Sequence, residues 1–175
     1  PSVKFKQLRP VSMFSSESYS DSLFEFLHME MISNFLLDNK SEDDSKDERM
    51  SKVEQMGFFT GYRFIERLTK DTPRFKDELE TMKYICKDFW TSVYQHQIDN
   101  LRTNRQGVYV LLDNKFRFLT KISHSSQYLE HAPKFLIFTC GLIRGALANL
   151  GVVSIVTAEV SALPGCKFQV QVQRT

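Results

Sequence analysis

Little in this chain signals chemistry. Of 175 residues only three are cysteine, seven glycine, five proline and one tryptophan. Cys86, Cys140 and Cys166 form no CxxC pair, which argues against a disulfide framework or a thiolate metal knot. The stretch "PSVKFKQLRPVSMFSSESYSDS" has no apolar segment of the kind a secretory leader needs, so a reducing, cytosolic setting is expected. A net charge of +2 gives no basic footprint for nucleic acid. The longest apolar run, Phe135 to Ile143, is about half the length a membrane helix requires, and Arg144 ends it.

What the chain does have is apolar periodicity and 15 phenylalanines. Residues 1–20 show no period and are expected to form a flexible tail, with the fold starting near residue 21 as a single domain over 21–175. Asp21 or Ser22 could cap a helix "SLFEFLHMEMISNFLL". Phe24, Leu27, Met31 and Phe35 form one stripe on it, while Phe26, Met29 and Leu36 occupy the other side. A helix apolar nearly all round is either central to a core or shared with a partner.

The charged segment 38–50 is expected to be a flexible acidic loop. A second helix should run from about Met50 to Thr69. Gly57 and Gly61 inside it cost about 1 kcal/mol each relative to alanine, which close approach of another backbone would offset. A third helix should begin near Thr72, with Pro73 in its first turn and Phe75, Leu79, Met82, Cys86, Phe89 and Val93 in one stripe.

After Asn100 the pattern turns to strands. "GVYVLLDNKFRFLTKI" reads as a hairpin turning at Asp113-Asn114-Lys115. "VVSIVTAEV" and "KFQVQVQ" read as strands joined through Leu163-Pro164-Gly165. Between them a helix from about Pro133 to Leu150 carries Gly141 and Gly145 as a close-packing surface and stops at Gly151. The expected class is α+β, with helices packed on one face of a small, twisted, antiparallel four-stranded sheet.

No catalytic, cofactor or metal site emerges. The glycines do not form GxGxxG, and His28, His96, His124 and His131 lack metal-ligand spacing. The three thiols read as structural, Cys166 being the one most open to solvent. Glu66, Asp77, Glu78 and Glu80 sit among Arg63, Arg67, Lys70, Arg74 and Lys76 as a solvated helix face rather than a catalytic carboxylate pair. Arg144 alone is left without a packing reason. These features favour an interaction protein.

Several segments carry a family resemblance. "MGFFTGYRFIERLTKD" resembles the Met-Gly-aromatic-x-x-Gly signature of the bet-three family of small TRAPP (transport protein particle) subunits. "RFKDELETMKYICKDFWTSVYQHQIDNLRTNRQGVYVLLDNKF", "KFLIFTCGLIRGALANLG" and "GCKFQVQV" are similar to its subunit-six branch. The resemblance spans about Leu23 to Gln173. It implies a bet-three-like fold and a non-enzymatic subunit of a vesicle-tethering complex. That complex promotes nucleotide exchange on a Rab GTPase in endoplasmic-reticulum-to-Golgi and Golgi traffic. The implied partners are a subunit-three-type paralogue as heterodimer and the other small subunits. The Rab GTPase is met indirectly, and the isolated chain could pair with a second copy of itself. The implied location is cytoplasmic and peripheral at the cis-Golgi and endoplasmic reticulum, with membrane association through the complex.

The implied interface draws on the first two helices, with Phe24, Phe26, Met29 and Phe35 from one and Met56, Phe59 and Arg63 from the other. Subunit three carries an acyl-accepting cysteine just before the Phe-basic opening of its third helix. Here Thr72-Pro73-Arg74 precedes Phe75 and Lys76, so acylation is not expected. An alternative function is binding of an acyl chain or another apolar ligand in a Phe-lined channel.

Overall fold

The computed structural model describes residues 2–4, 17–34, 44–104, 106–120 and 131–173. In chain order these form β1 (Ser2–Lys4), α1 (Glu17–Ile32), α2 (Asp44–Leu68), α3 (Glu78–Tyr84) and α4 (Trp90–Tyr94). There follow β2 (Asn100–Thr103), β3 (Val108–Asp113), α5 (Arg117–Thr120), α6 (Ile137–Asn149), β4 (Ser154–Ala162) and β5 (Gly165–Val172). A π-helical segment, Ile85–Phe89, joins α3 to α4, and a 3-10 segment, Ala132–Leu136, leads into α6. The expected α+β class and antiparallel sheet are present. The sheet order is β1-β2-β3-β5-β4: the body has the expected four strands in number, three of them where the sequence placed them and β2 in place of the strand expected after Lys115, and β1 lies along the β2 edge.

Several boundaries differ from the sequence reading. Two elements fall within the span expected as a tail: β1, and the first turn of α1, which begins at Glu17 rather than Asp21. α2 starts at Asp44 rather than Met50, inside the span expected as an acidic loop. Polarity was the misleading signal. Acidic residues suit a helix N-terminus, and Glu48 pairs with Lys52 one turn on at 2.7 Å, so the segment needs no apolar contact to be helical.

The third helix begins at Glu78, not Thr72. Asp77 is its cap, its carboxylate accepting from the Glu80 amide at 2.7 Å, while Glu80 accepts from the Lys76 amide at 2.6 Å. Within that helix the wider π turn rotates the apolar stripe. Trp90 and Tyr94 end up buried beside Met82, Ile85, Cys86 and Phe89, while Val93 is only half-buried.

The hairpin is displaced as well. Its strands are β2 and β3, and its turn is set by Asn104, whose side-chain oxygen accepts from the amides of Gln106 and Val108 at 3.0 Å each. Gly107 supplies the positive φ of 77°. Where a second strand was expected after Lys115 there is instead α5. The carboxylates of Asp99 and Asp113 take the amides of Asn114 and Lys115, which ends the ladder. Phe116 and Phe118 then plunge into the core.

The centre of the molecule is the crossing of α2 on α6. A methyl group added at Gly57 or Gly61 would overlap the carbonyl oxygen of Phe138 or Leu142. One added at Gly141 or Gly145 would overlap that of Glu54 or Phe58. Two Gly-x-x-x-Gly pairs thus interlock backbone to backbone, as the small-residue reading of both helices anticipated. Gly151, at φ 84°, stops the chain just beyond α6 as expected. Below the helices, Leu101, Tyr109, Leu111, Val156, Phe168 and Val170 line the inner sheet face.

Because the overlapping atoms are backbone, they cannot rotate away. Gly57→Ala and Gly141→Ala are each expected to lower unfolding free energy by at least about 2 kcal/mol, read from urea denaturation midpoints.

Candidate docking face on the first two helices

α1 resolves into two unlike sides. Phe24, His28, Met31 and Ile32 turn inward. Leu23, Phe26, Leu27 and Met29 turn outward with 69, 71, 67 and 46 % of their surfaces exposed. The inward side is held by side chains, since the backbone of α1 makes few close approaches to the body. Phe24 meets Phe118 edge-on at 5.3 Å and Phe138 at 6.4 Å. Glu25 pairs with Arg117 of α5. The His28 ring stacks on Phe118, with centroids 3.7 Å apart.

α2 offers a matching flank. Met56, Phe59 and Tyr62 are 45, 54 and 41 % exposed, and Arg63 is exposed beside them. Between α1 and α2 runs an open groove of about 580 Å³, lined by Phe24, Leu27, Met31, Met56, Thr60 and Phe138 among others. Asn34 and Glu30 close its rim through a 2.6 Å hydrogen bond.

Of the seven residues expected at the interface, Phe24 and Met56 meet in this groove. Phe26, Met29, Phe59 and Arg63 are exposed but lie outside it, on the outer sides of the two helices. Phe35 lies outside the described residues, as does His124. Phe24 is mainly an anchor to the core. Leu23, Leu27 and Tyr62, outside the seven, are exposed as well, Leu23 and Tyr62 each three residues from Phe26 and Phe59 on the same helix side. The contribution of Phe138 was not legible, because it depends on α6 crossing α2.

His28 is the unusual member. It is 1 % exposed, and among the described residues neither ring nitrogen has a hydrogen-bond partner of good geometry. Burial lowers its pKa to about 4, against a weaker opposing pull from the Phe135 backbone. It is therefore a neutral ring doing the work of a phenylalanine.

The thiols and Arg144 have structural explanations. All three thiols are buried, Cys166 included, contrary to the expectation that it would be the most open. Burial pushes every one of them up, Cys140 to about 12, so they rest as inert thiols. Arg144 stands 3.0 Å from Glu54, with its Nε–H poorly aimed at the oxygen, and lies over the Phe58 ring at 4.9 Å. That supplies its packing reason. Among the described residues no group of His, Cys, Asp or Glu is arranged to hold a metal, and no helix is long and apolar enough to cross a membrane.

Residues 24–173 match the family model of the transport protein particle (TRAPP) component. The chain belongs to the TRAPP component family, in its subunit-six branch. It is 64 % identical over 154 residues to trafficking protein particle complex subunit 6b of Danio rerio, covering 88 % of this chain and 98 % of that one. To subunit 6B of Homo sapiens it is 60 % identical over the same shares. To human subunit 6A it is 50 % identical over 87 % of this chain and 97 % of that one. In fold it is similar to a trafficking protein particle complex subunit 3 from Naegleria fowleri, crystallised covalently bound to palmitic acid. That likeness has a TM-score of 0.70 at 15 % identity, over 90 % of this chain and 97 % of that one. The chain is thus a TRAPP-family protein with a bet-three-like α+β fold.

A histidine kept neutral by burial opposes acid. As pH falls below 6.5 the unfolded chain takes a proton at His28 that the folded chain refuses until about pH 4, so unfolding gains. Between pH 7 and pH 4 the wild type is expected to lose about 3 kcal/mol more than His28→Leu, compared by urea denaturation.

Proposed function

We propose that this chain is a non-enzymatic adaptor of the TRAPP vesicle-tethering complex, and that α1 and α2 dock it on a subunit-three-type paralogue. In this reading 21–175 act as one bet-three-like domain, bridging that paralogue to other small subunits. The heterodimer helps position the assembly that drives nucleotide exchange on a Rab GTPase. It works in the cytoplasm, peripherally at the cis-Golgi and endoplasmic reticulum. In isolation, the same apolar face pairs two copies of the chain.

One observation carries this reading: Leu23, Phe26, Leu27, Met29, Met56, Phe59 and Tyr62 are all exposed on two adjacent helices. Scattered exposed apolar residues are ordinary, but an aromatic- and Met-rich cluster rimmed by Arg63 and Glu30 has interface composition. Held by its inner side alone, α1 gains its second set of neighbours from the partner. Subunit identity in relatives that share nearly their full length supports the same conclusion.

The acyl-ligand reading has weaker support. The groove is open rather than enclosed, and its lining includes Glu30 and Asn34. Around Thr72, Pro73, Arg74 and Phe75 the surface hollow contains no thiol among its lining residues.

The wild-type chain is expected to co-elute with a subunit-three-type paralogue at the mass of a 1:1 complex by size exclusion with light scattering. Phe26→Asp and Phe59→Asp should each weaken that association at least about tenfold while shifting unfolding free energy by no more than about 0.5 kcal/mol. Separate elution of the wild-type pair would sink the proposal. Intact-mass spectrometry after incubation with palmitoyl-CoA should return the bare polypeptide mass.

A further inference from the structure

Asp113 ends β3 with its carboxylate fully buried. The Trp90 indole N–H donates to its Oδ2 at 3.0 Å and the Lys115 amide to its Oδ1 at 3.0 Å. His96 Nε2 stands 2.7 Å from the same Oδ2, and His96 Nδ1 stands 2.9 Å from the Tyr94 carbonyl oxygen. Both groups facing the imidazole are acceptors. A neutral ring has one N–H and can satisfy one of them, whereas the imidazolium satisfies both. The other titratable or charged groups nearby are Asp99, Lys115 and Arg117, which line the same hollow, and Cys166, a neutral thiol beside Asp113. Arg117 is already engaged with Glu25, so among the described residues His96 is the cation in contact with the buried carboxylate.

The pair leads directly towards α1. Asp113 fixes the turn through the Lys115 amide, and that turn enters α5. From α5, Arg117 reaches Glu25, while Phe118 carries Phe24 and His28. These three contacts tie α1 to this end of the body.

We propose that protonated His96 is a positioning residue for the docking helix: the His96–Asp113 ion pair holds the turn and α5 in place, and α5 holds α1. Its functional consequence rests on the docking role proposed for α1 above; the device itself does not. When the proton leaves, one ring nitrogen turns a lone pair on an acceptor, the turn loosens, and α1 is seated less firmly. Burial opposes the charge on His96, but the Asp113 hydrogen bond and its negative charge, aided by the Tyr94 carbonyl and Asp99, outweigh it and raise the pKa. The stabilisation is therefore complete below about pH 6.5 and lost as pH rises through the folded value.

The test uses the full chain without any partner, so failure of the docking role cannot mimic failure here. Imidazole nitrogen NMR should show His96 protonated on both nitrogens at pH 6, with a midpoint above 6.5. Amide-exchange protection of 117–120 and 24–32, corrected for intrinsic rates, should fall about fivefold or more as His96 titrates between about pH 6 and 9. His96→Lys, which keeps a cation, should retain protection with a flat pH profile, while Asp113→Asn should give low protection throughout. A His96 midpoint at or below 6.5, or protection that ignores its titration, overturns the proposal. The wild-type measurements decide it if neither variant folds.

Discussion

The backbone contact between α2 and α6 is the constraint on which the other features depend. Four glycines allow two helices to approach until carbonyl oxygens lie where side chains would otherwise begin. That proximity places Phe138 of α6 beneath the α1–α2 groove. It also commits one flank of α2 to the core, leaving the flank with Met56, Phe59, Tyr62 and Arg63 free. Close packing of this type derives its strength from many dispersion contacts and from weak C–H to carbonyl contacts, not from any single bond. It therefore tolerates changes on the outer surface of α2 but almost none at the seam.

α1 obeys a different logic. Nothing in its sequence lets its backbone approach the body closely, so it is seated by rings: Phe24 on Phe118 and Phe138, His28 flat on Phe118. Ring packing gives area without demanding a shared seam. The arrangement leaves the outer half of the helix as apolar as the inner half. The fold covers only the inner of the two.

Much of this was legible in the sequence, for identifiable reasons. The glycine pairs at 57/61 and 141/145 were readable because glycine inside a helix has few other justifications. The alternation of Phe168, Val170 and Val172 with glutamines marked β5, because a half-buried strand has a period of two. Less legible were features where polar side chains took over backbone duties. Asp99, Asp113 and Asn104 redirect the chain after β2 and β3 by accepting amide hydrogens, and no periodicity reports that. The π turn at Ile85–Phe89 moved burial from Val93 to Tyr94, which a 3.6-residue template cannot foresee. The exposed apolar side of α1 was legible as a surplus of apolar residues. Which of them anchor inward became visible only with Phe118 and Phe138 in place.

The unlike halves of α1 also bear on how much of this chain a cell can hold. A single copy in solution displays Leu23, Phe26, Leu27 and Met29 as one continuous oily stripe, the kind of surface that chaperones retain and proteases sample. Under the docking proposed here, supply of the covering partner would set a ceiling on the steady-state level of this chain, because the uncovered copy is the one open to degradation.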